Sequence, residues 1–427
     1  MSIKDLTQKS FSVLIIRSFG VLLLFSFTLY ITNFFTAENV GRYDFVRSTL
    51  MVLGGIALMG TNQSIIYYSG FLKARKSVES IRSIYFKMLR IIISFSMIIL
   101  GLFLCLFNES TITQIFNSTE SYTLILKSIF TLIFFSTTML IIYTIRALLN
   151  KFLCEIYRSL FRYIPVFIFA IILIQYNQQP YLVEAYLLGF VLLSVFSGIK
   201  VINMLAGLKK TNKQSEKFSV REIFKTSAPM ALSAIAYFIM QSIDIIILSV
   251  YEDFDQIAYY SVSVKLAMVT TLALMSVNIV IAPRIAEIFE KKNMKDMQLL
   301  IKHSTRIIFF ISICVLSVLF LFSEQILNMF GEGYSQANKA LIFLLAAQFF
   351  NSISGPGAIY LNMTGRQTSL NKILILGLTI NIALNFYFIP NEGINGAAKA
   401  TLTSLIIWNS ITTVYVYSRD KIKIFLT

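Results

Sequence analysis

The chain has 427 residues, 56% of them hydrophobic and only 14% charged, with a mean hydropathy of +0.74. A soluble domain carries about a quarter charged residues, so a single water-soluble core is excluded and apolar surface must face lipid. The 37 Lys and Arg against 21 Asp and Glu give +16. These cations alternate with apolar runs of spanning length, which places them at bilayer edges and not on nucleic acid.

Twelve such runs follow one another along the chain. The first, 11–35, is long enough to span, so it reads as a retained helix and not as a cleaved signal peptide. The next five are 45–69, 88–107, 122–145, 161–176 and 184–207. The fifth is short or tilted, because Pro165 lies near its start and a polar stretch from Gln175 to Pro180 closes it. The second six are 227–251, 257–282, 307–329, 340–363, 372–389 and 397–418. The expected fold is an all-α polytopic membrane protein with two six-helix lobes, residues 1–210 and 211–427. Equal orientation of the halves would make them parallel repeats. Asn39–Tyr43 and Gln256–Tyr260 are a weak trace of such a repeat.

The loops orient the bundle. With the first segment inside, inner segments hold 30 of the 37 basic residues, while outer segments hold only Arg42 and Lys339. The positive-inside rule therefore puts both termini in the cytoplasm and requires an even span number. The longest inner segment, Arg284 to Arg306, reads as a basic amphipathic helix on the membrane surface.

Enzymatic and metal chemistry find little support. Cys105, Cys154 and Cys314 are isolated, and the one histidine, His303, lies in a basic polar stretch. No phosphate-cradling loop, zinc-protease motif or nucleophile elbow occurs, and the outer loops are too short for a glycosyl transferase or polymerase site. The sequence thus indicates no enzyme, cofactor or resident metal.

What remains is charge inside apolar spans, which is costly in hydrocarbon and marks a polar interior. The candidates are the cations Arg17, Arg47, Lys127, Lys265 and Lys399 and the acid Asp244. Snorkelling to a helix end competes with a cavity role for Arg17, Arg47 and Lys399. Asp244 and Lys265 lie at matched depth on consecutive antiparallel helices, which predicts an ion pair. Two roles stay open for that pair: it only holds span seven against span eight, or an anion taking Lys265 leaves Asp244 to accept a proton. Asn62 and Gln63 interrupt the second span, Gln241 precedes Asp244, and Asn278 sits in the eighth. Together these favour a water-filled cavity that attracts an anion.

Several stretches carry a family resemblance. Pro390-Asn391-Glu392-Gly393-Ile394-Asn395-Gly396-Ala397-Ala398-Lys399-Ala400-Thr401 resembles the P-x-x-G-I-x-G-A-A-x-A-T signature of polysaccharide transporters. These belong to the multidrug/oligosaccharidyl-lipid/polysaccharide exporter superfamily. The helix from Pro229 to Leu248 resembles that family's P…D-x-x-x-L segment, and Ala282-Pro283-Arg284 and Met329–Tyr334 also fit. Glu38-Asn39-Val40-Gly41 matches its first turn, except that Ala37 replaces a proline.

The resemblance implies two lobes around a central cavity, alternating access, and flipping of polyprenyl-diphosphate-linked oligosaccharide, most like O-antigen (Wzx-type) flippases. It implies a bacterial cytoplasmic membrane, membrane lipids as partners, a polymerase and chain-length regulator as co-workers, and a monomer. Related alternatives are a lipid II-type exporter, a drug exporter, or a non-transporting component of polysaccharide assembly. The driving force stays open between a proton or sodium gradient and removal of product.

Overall fold

Inside a bilayer every peptide group must find its hydrogen bond within the chain, and helices satisfy that locally. The computed structural model describes residues 3–75, 77–148, 150–208 and 218–426, and every regular element among them is helical. The chain divides into two compact units, Met1–Ser242 and Ile243–Thr427. The expected lobe boundary at 210/211 lies outside the described residues. The helix Val220–Met240 belongs to the first unit because it packs on the second and third spans.

Eight described helices are long and apolar enough to cross a membrane, and three bent pairs raise the number to eleven. The twelfth is hidden in Gln367–Asp420. A straight helix of 54 residues would reach roughly 80 Å, far beyond a core of about 30 Å. It does not run straight. Gly393 has φ 54° and ψ −130°, and the segment folds back there. Ser369 meets Tyr415, Gly377 meets Trp408, and Asn381 meets Ser404, so the halves are antiparallel about Gly393. The expected eleventh and twelfth spans are these two halves.

The second span is the bent pair Ala37–Leu58 and Thr61–Ala74, turned by 44°. Gly60 makes the break, with φ 74°. Its missing side chain lets span seven approach, since a methyl there would crowd the Ser227 carbonyl oxygen and lie 2.7 Å from the Ala231 nitrogen. Ser64 and Ser227 hydroxyls bond at 2.6 Å, and Tyr68 donates to Thr226 at 3.1 Å. Polar residues on this stretch therefore pack one helix on another.

Two expectations need correction. The fifth span begins well before residue 161: it comprises Lys151–Ser159 and Ile164–Gln175, apolar together from Phe152 to Gln175. Pro165 lacks an N–H and its ring opposes the carbonyl four residues earlier, so the helix breaks there. Span one runs parallel alongside, with Glu155 against Arg17, Ser159 against Gly20 and Phe167 against Phe27. Nor is residue range 284–306 a separate surface helix. Thr271–Glu290 and Met294–Leu321 meet in a hairpin where Lys292 has φ 52° and Asn293 caps the second helix. Ile285, Met297 and Ile301 are buried in a core with Tyr360 and Ile424, which pins the two helices together.

Gly60→Ala should lower the stability of the purified protein by about 1–3 kcal/mol, through strain at positive φ and the crowding of Ser227. Gly70→Ala is the control, since Gly70 is helical and a methyl there meets nothing within 4 Å. Thermal melts in detergent should show a loss for the first and none for the second.

Candidate functional site

Charged side chains gather at mid-depth in the first unit. Arg47 lies ten residues after Ala37, roughly 15 Å along the second span. Its Nε donates to Asp44 Oδ1 at 2.8 Å, and Asp44 is fully buried. The break in span five brings a second guanidinium to the same region. Arg162 sits 5.9 Å from the Phe190 ring centroid and 5.8 Å from that of Tyr163. It is near enough to Arg47 and Tyr186 to interact electrostatically with both. Tyr43 and Tyr186 meet edge to face at 4.8 Å, and Tyr186 and Phe190 at 5.2 Å, walling the cluster with rings.

Among the described residues no carboxylate forms an ion pair with Arg162, so Arg47 and Arg162 outnumber Asp44. Guanidinium forks match phosphate oxygens two bonds at a time, and low dielectric strengthens that attraction. The cluster's surplus positive charge suits an anion. Sequence reading found Arg47 but missed the other two. Asp44 stood one residue before the assigned second span, and Arg162 stood second in the assigned fifth, at the edge of the inner loop. Pro165 three residues beyond Arg162 was the available signal.

The second unit holds a different arrangement. Asp244 accepts hydrogen bonds from Thr401 Oγ1 at 2.5 Å, Asn385 Nδ2 at 2.9 Å and Tyr260 Oη at 3.1 Å. Asn385 also donates to Asn381, whose Nδ2 donates to Ser404. The register follows from the turns: Asn385 and Thr401 each lie eight residues from Gly393, and Asp244 seven from Tyr251. The Asn385 Oδ1 is buried without a partner. A carboxylate, an open amide oxygen and hydroxyls form a set that takes a proton or a small cation.

The expected Asp244–Lys265 ion pair is not formed. Tyr260 occupies the carboxylate, and Lys265, five residues on, projects about 140° round the same helix. Lys265 is itself buried, at 7% exposure.

The remaining candidates scatter. Arg17 makes a two-pronged pair with Glu155, at 2.7 and 3.0 Å, tying span one to span five. Lys127 pairs with Glu184 at 2.5 Å, on a face of the first unit away from Arg47. Lys399 pairs with Glu392 beside the Gly393 turn and lies over the Phe343 ring. Asn62 is buried with its Oδ1 unpartnered, whereas Gln63 is exposed. Gln241 occupies the break between Met240 and Ile243, and Asn278 leaves its Oδ1 buried and unpartnered.

Twelve apolar spans with buried charge at mid-depth define a polytopic membrane protein of transporter architecture. A lipid II flippase in its inward closed conformation has the same fold, with a TM-score of 0.71 and 18% identity over 94% of this chain and 86% of that one. An inward-facing multidrug resistance transporter of the MATE family gives 0.74 and 12%, over 96% and 98%. A superfamily transporter from Pyrococcus furiosus gives 0.68 and 13%, over 96% and 94%.

Residues 6–289 match the polysaccharide biosynthesis protein family, and the chain belongs to it. Residues 229–387 also match the MatE family. An uncharacterised membrane protein of Methanocaldococcus jannaschii is 25% identical over 258 residues, 58% of this chain and 50% of that protein. Protein DETOXIFICATION 49 of Arabidopsis thaliana is 23% identical over 188 residues, 43% and 37% of the two chains. The chain thus spans half or less of the curated relatives it matches.

Glu155 is 4% exposed, so removing its partner leaves a buried charge. Arg17→Leu should cost about 3–5 kcal/mol of stability, and Arg17→Leu with Glu155→Leu should recover most of it. Melting of the three proteins checks this. Equal losses in the single and double variants would show that the pair is not what holds the two spans.

Proposed function

We propose that the protein flips a lipid-linked oligosaccharide across the membrane, binding its diphosphate at Arg47 and Arg162. The observation that carries this is two guanidiniums, only one of them paired with a carboxylate, among aromatic rings at mid-membrane depth. An oligosaccharide is too polar to cross unaided, and a diphosphate is an anion that paired arginines hold bidentately. Family membership in polysaccharide biosynthesis supports the sugar, and the fold shared with a lipid II flippase supports the lipid. The reading extends to alternating access and a bacterial cytoplasmic membrane with both termini inside. A polysaccharide polymerase and a chain-length regulator would receive the flipped unit.

The Asp244 set gives the cycle a place for a coupling proton or sodium ion. Its carboxylate has three neutral donors and no ion pair among the described residues, so a bound cation would supply the missing charge. A second reading, export of an organic cation, draws on the same carboxylate. The two differ in what Arg162 does.

Reconstituted into vesicles with a fluorescent polyprenyl-diphosphate sugar, Arg162→Ala should flip it about tenfold more slowly or worse, and Arg162→Lys should keep part of the rate. Full flipping by both Arg47→Ala and Arg162→Ala would overturn the anion site. Asp244→Asn should abolish acceleration by an imposed proton or sodium gradient while sugar-lipid binding persists. Persistent acceleration would remove Asp244 from coupling. Reporter fusions after Asp420 and within Glu252–Asp255 test orientation, which fails if the first is active only outside.

A further inference from the structure

Spans four, five and six enclose a groove of about 590 Å³ that the anion cluster does not use. Phe130, Ile172, Leu188 and Val191 line it, and Lys127 and Glu184 stand at one end. It lies on the far side of span six from Tyr186. At 100° per residue, Glu184, Leu188 and Val191 project roughly 140–200° away from that tyrosine. Its lining is almost wholly carbon, as a wall against hydrocarbon chains must be.

The polar end has unusual chemistry for such a wall. Lys127 Nζ and Glu184 Oε1 are 2.5 Å apart, each side chain about two-fifths exposed to the groove. The other carboxylate oxygen, Glu184 Oε2, is buried and has no hydrogen-bond partner. Depth matters here. Glu184 lies two residues after Leu182 and Lys127 six after Ser121, so both sit within roughly 10 Å of the bundle end carrying loops 107–120 and 176–181. That is headgroup level, and Val191 lies a further two turns inward.

We infer that this groove is a binding site for one membrane phospholipid with an amine headgroup, of the phosphatidylethanolamine type. Its phosphate meets Lys127, its ammonium meets the Glu184 carboxylate from the groove, and one acyl chain follows Phe130, Ile172 and Leu188 toward Val191. A zwitterion suits a cation and an anion held side by side, whereas a purely anionic headgroup would meet Glu184 with like charge. The site stands apart from the flipping reaction and does not rest on it.

Native mass spectrometry of the detergent-purified protein tests this, with phosphatidylethanolamine, phosphatidylglycerol, phosphatidylcholine and a polyprenyl phosphate added at equal concentration. A single phosphatidylethanolamine should be retained at least fivefold over each of the others. Lys127→Ala and Glu184→Gln should each erase that preference, and Leu188→Trp, which fills the groove but keeps both charges, should remove the adduct. Melting temperatures of the three variants without lipid separate misfolding from lost binding. Equal retention of all four lipids, or a preference unchanged in the well-folded variants, would overturn the site. Preferential retention of the polyprenyl phosphate would overturn it too, and assign the groove to a carrier chain.

Discussion

Hydrocarbon offers no partner to a peptide group or to a charge, and both features of this protein follow from that. The backbone answers with helices, twelve spans of them among the described residues, which satisfy peptide groups along the chain. The charged side chains answer with partners: Glu155 on a neighbouring span for Arg17, Asp44 one turn away on the same helix for Arg47, and three neutral donors for Asp244. The Arg17 and Asp244 networks join elements that simple apolar packing would leave free to slide, because lipid tails compete with Leu and Ile for the same contacts.

Breaks in the spans are what bring those groups together. A regular helix shows a given depth only one residue per turn, whereas the interruptions at Gly60, before Pro165 and at Gly393 change direction and register. Without the fifth-span break Arg162 would continue a regular helix and not lie over Phe190. The hairpin at Gly393 sets Asn385 and Thr401 at equal distances from its tip, which is why both reach one carboxylate. Gly396 takes part as well: a Cβ there would lie 2.5 Å from the Phe388 carbonyl oxygen, so the returning helix rests directly on backbone. The small-residue signature from Gly393 to Thr401 is thus a packing requirement that ends in a hydroxyl bonded to Asp244.

The two units carry opposite local chemistry. The first has surplus positive charge among tyrosines, and the second has a carboxylate held by uncharged donors. Opposite demands are easier to meet in separate networks, since an arginine beside Asp244 would quench the oxygen set and an added acid beside Arg162 would quench the surplus positive charge. Lys127 and Glu184 show a third solution, a pair kept at headgroup depth where water and lipid polar groups share the cost.

The spans themselves were legible in the sequence. Apolar length marks a span whatever its neighbours do, and charge in the loops follows a rule that depends on chain order alone. Depth was legible too, since residue counts from a turn convert directly into distance. Azimuth was not. Asp244 and Lys265 share a depth, yet only the packed bundle decides that Tyr260 faces the carboxylate and Lys265 turns away. Arg162 and Asp44 escaped because each stood at the edge of an apolar run, where composition cannot tell a loop from a break. The sequence determined which stretches cross the membrane and the depth of residues well inside them, while tertiary structure alone decided where the breaks fall and which residues meet, because meeting depends on helix rotation and the placement of kinks.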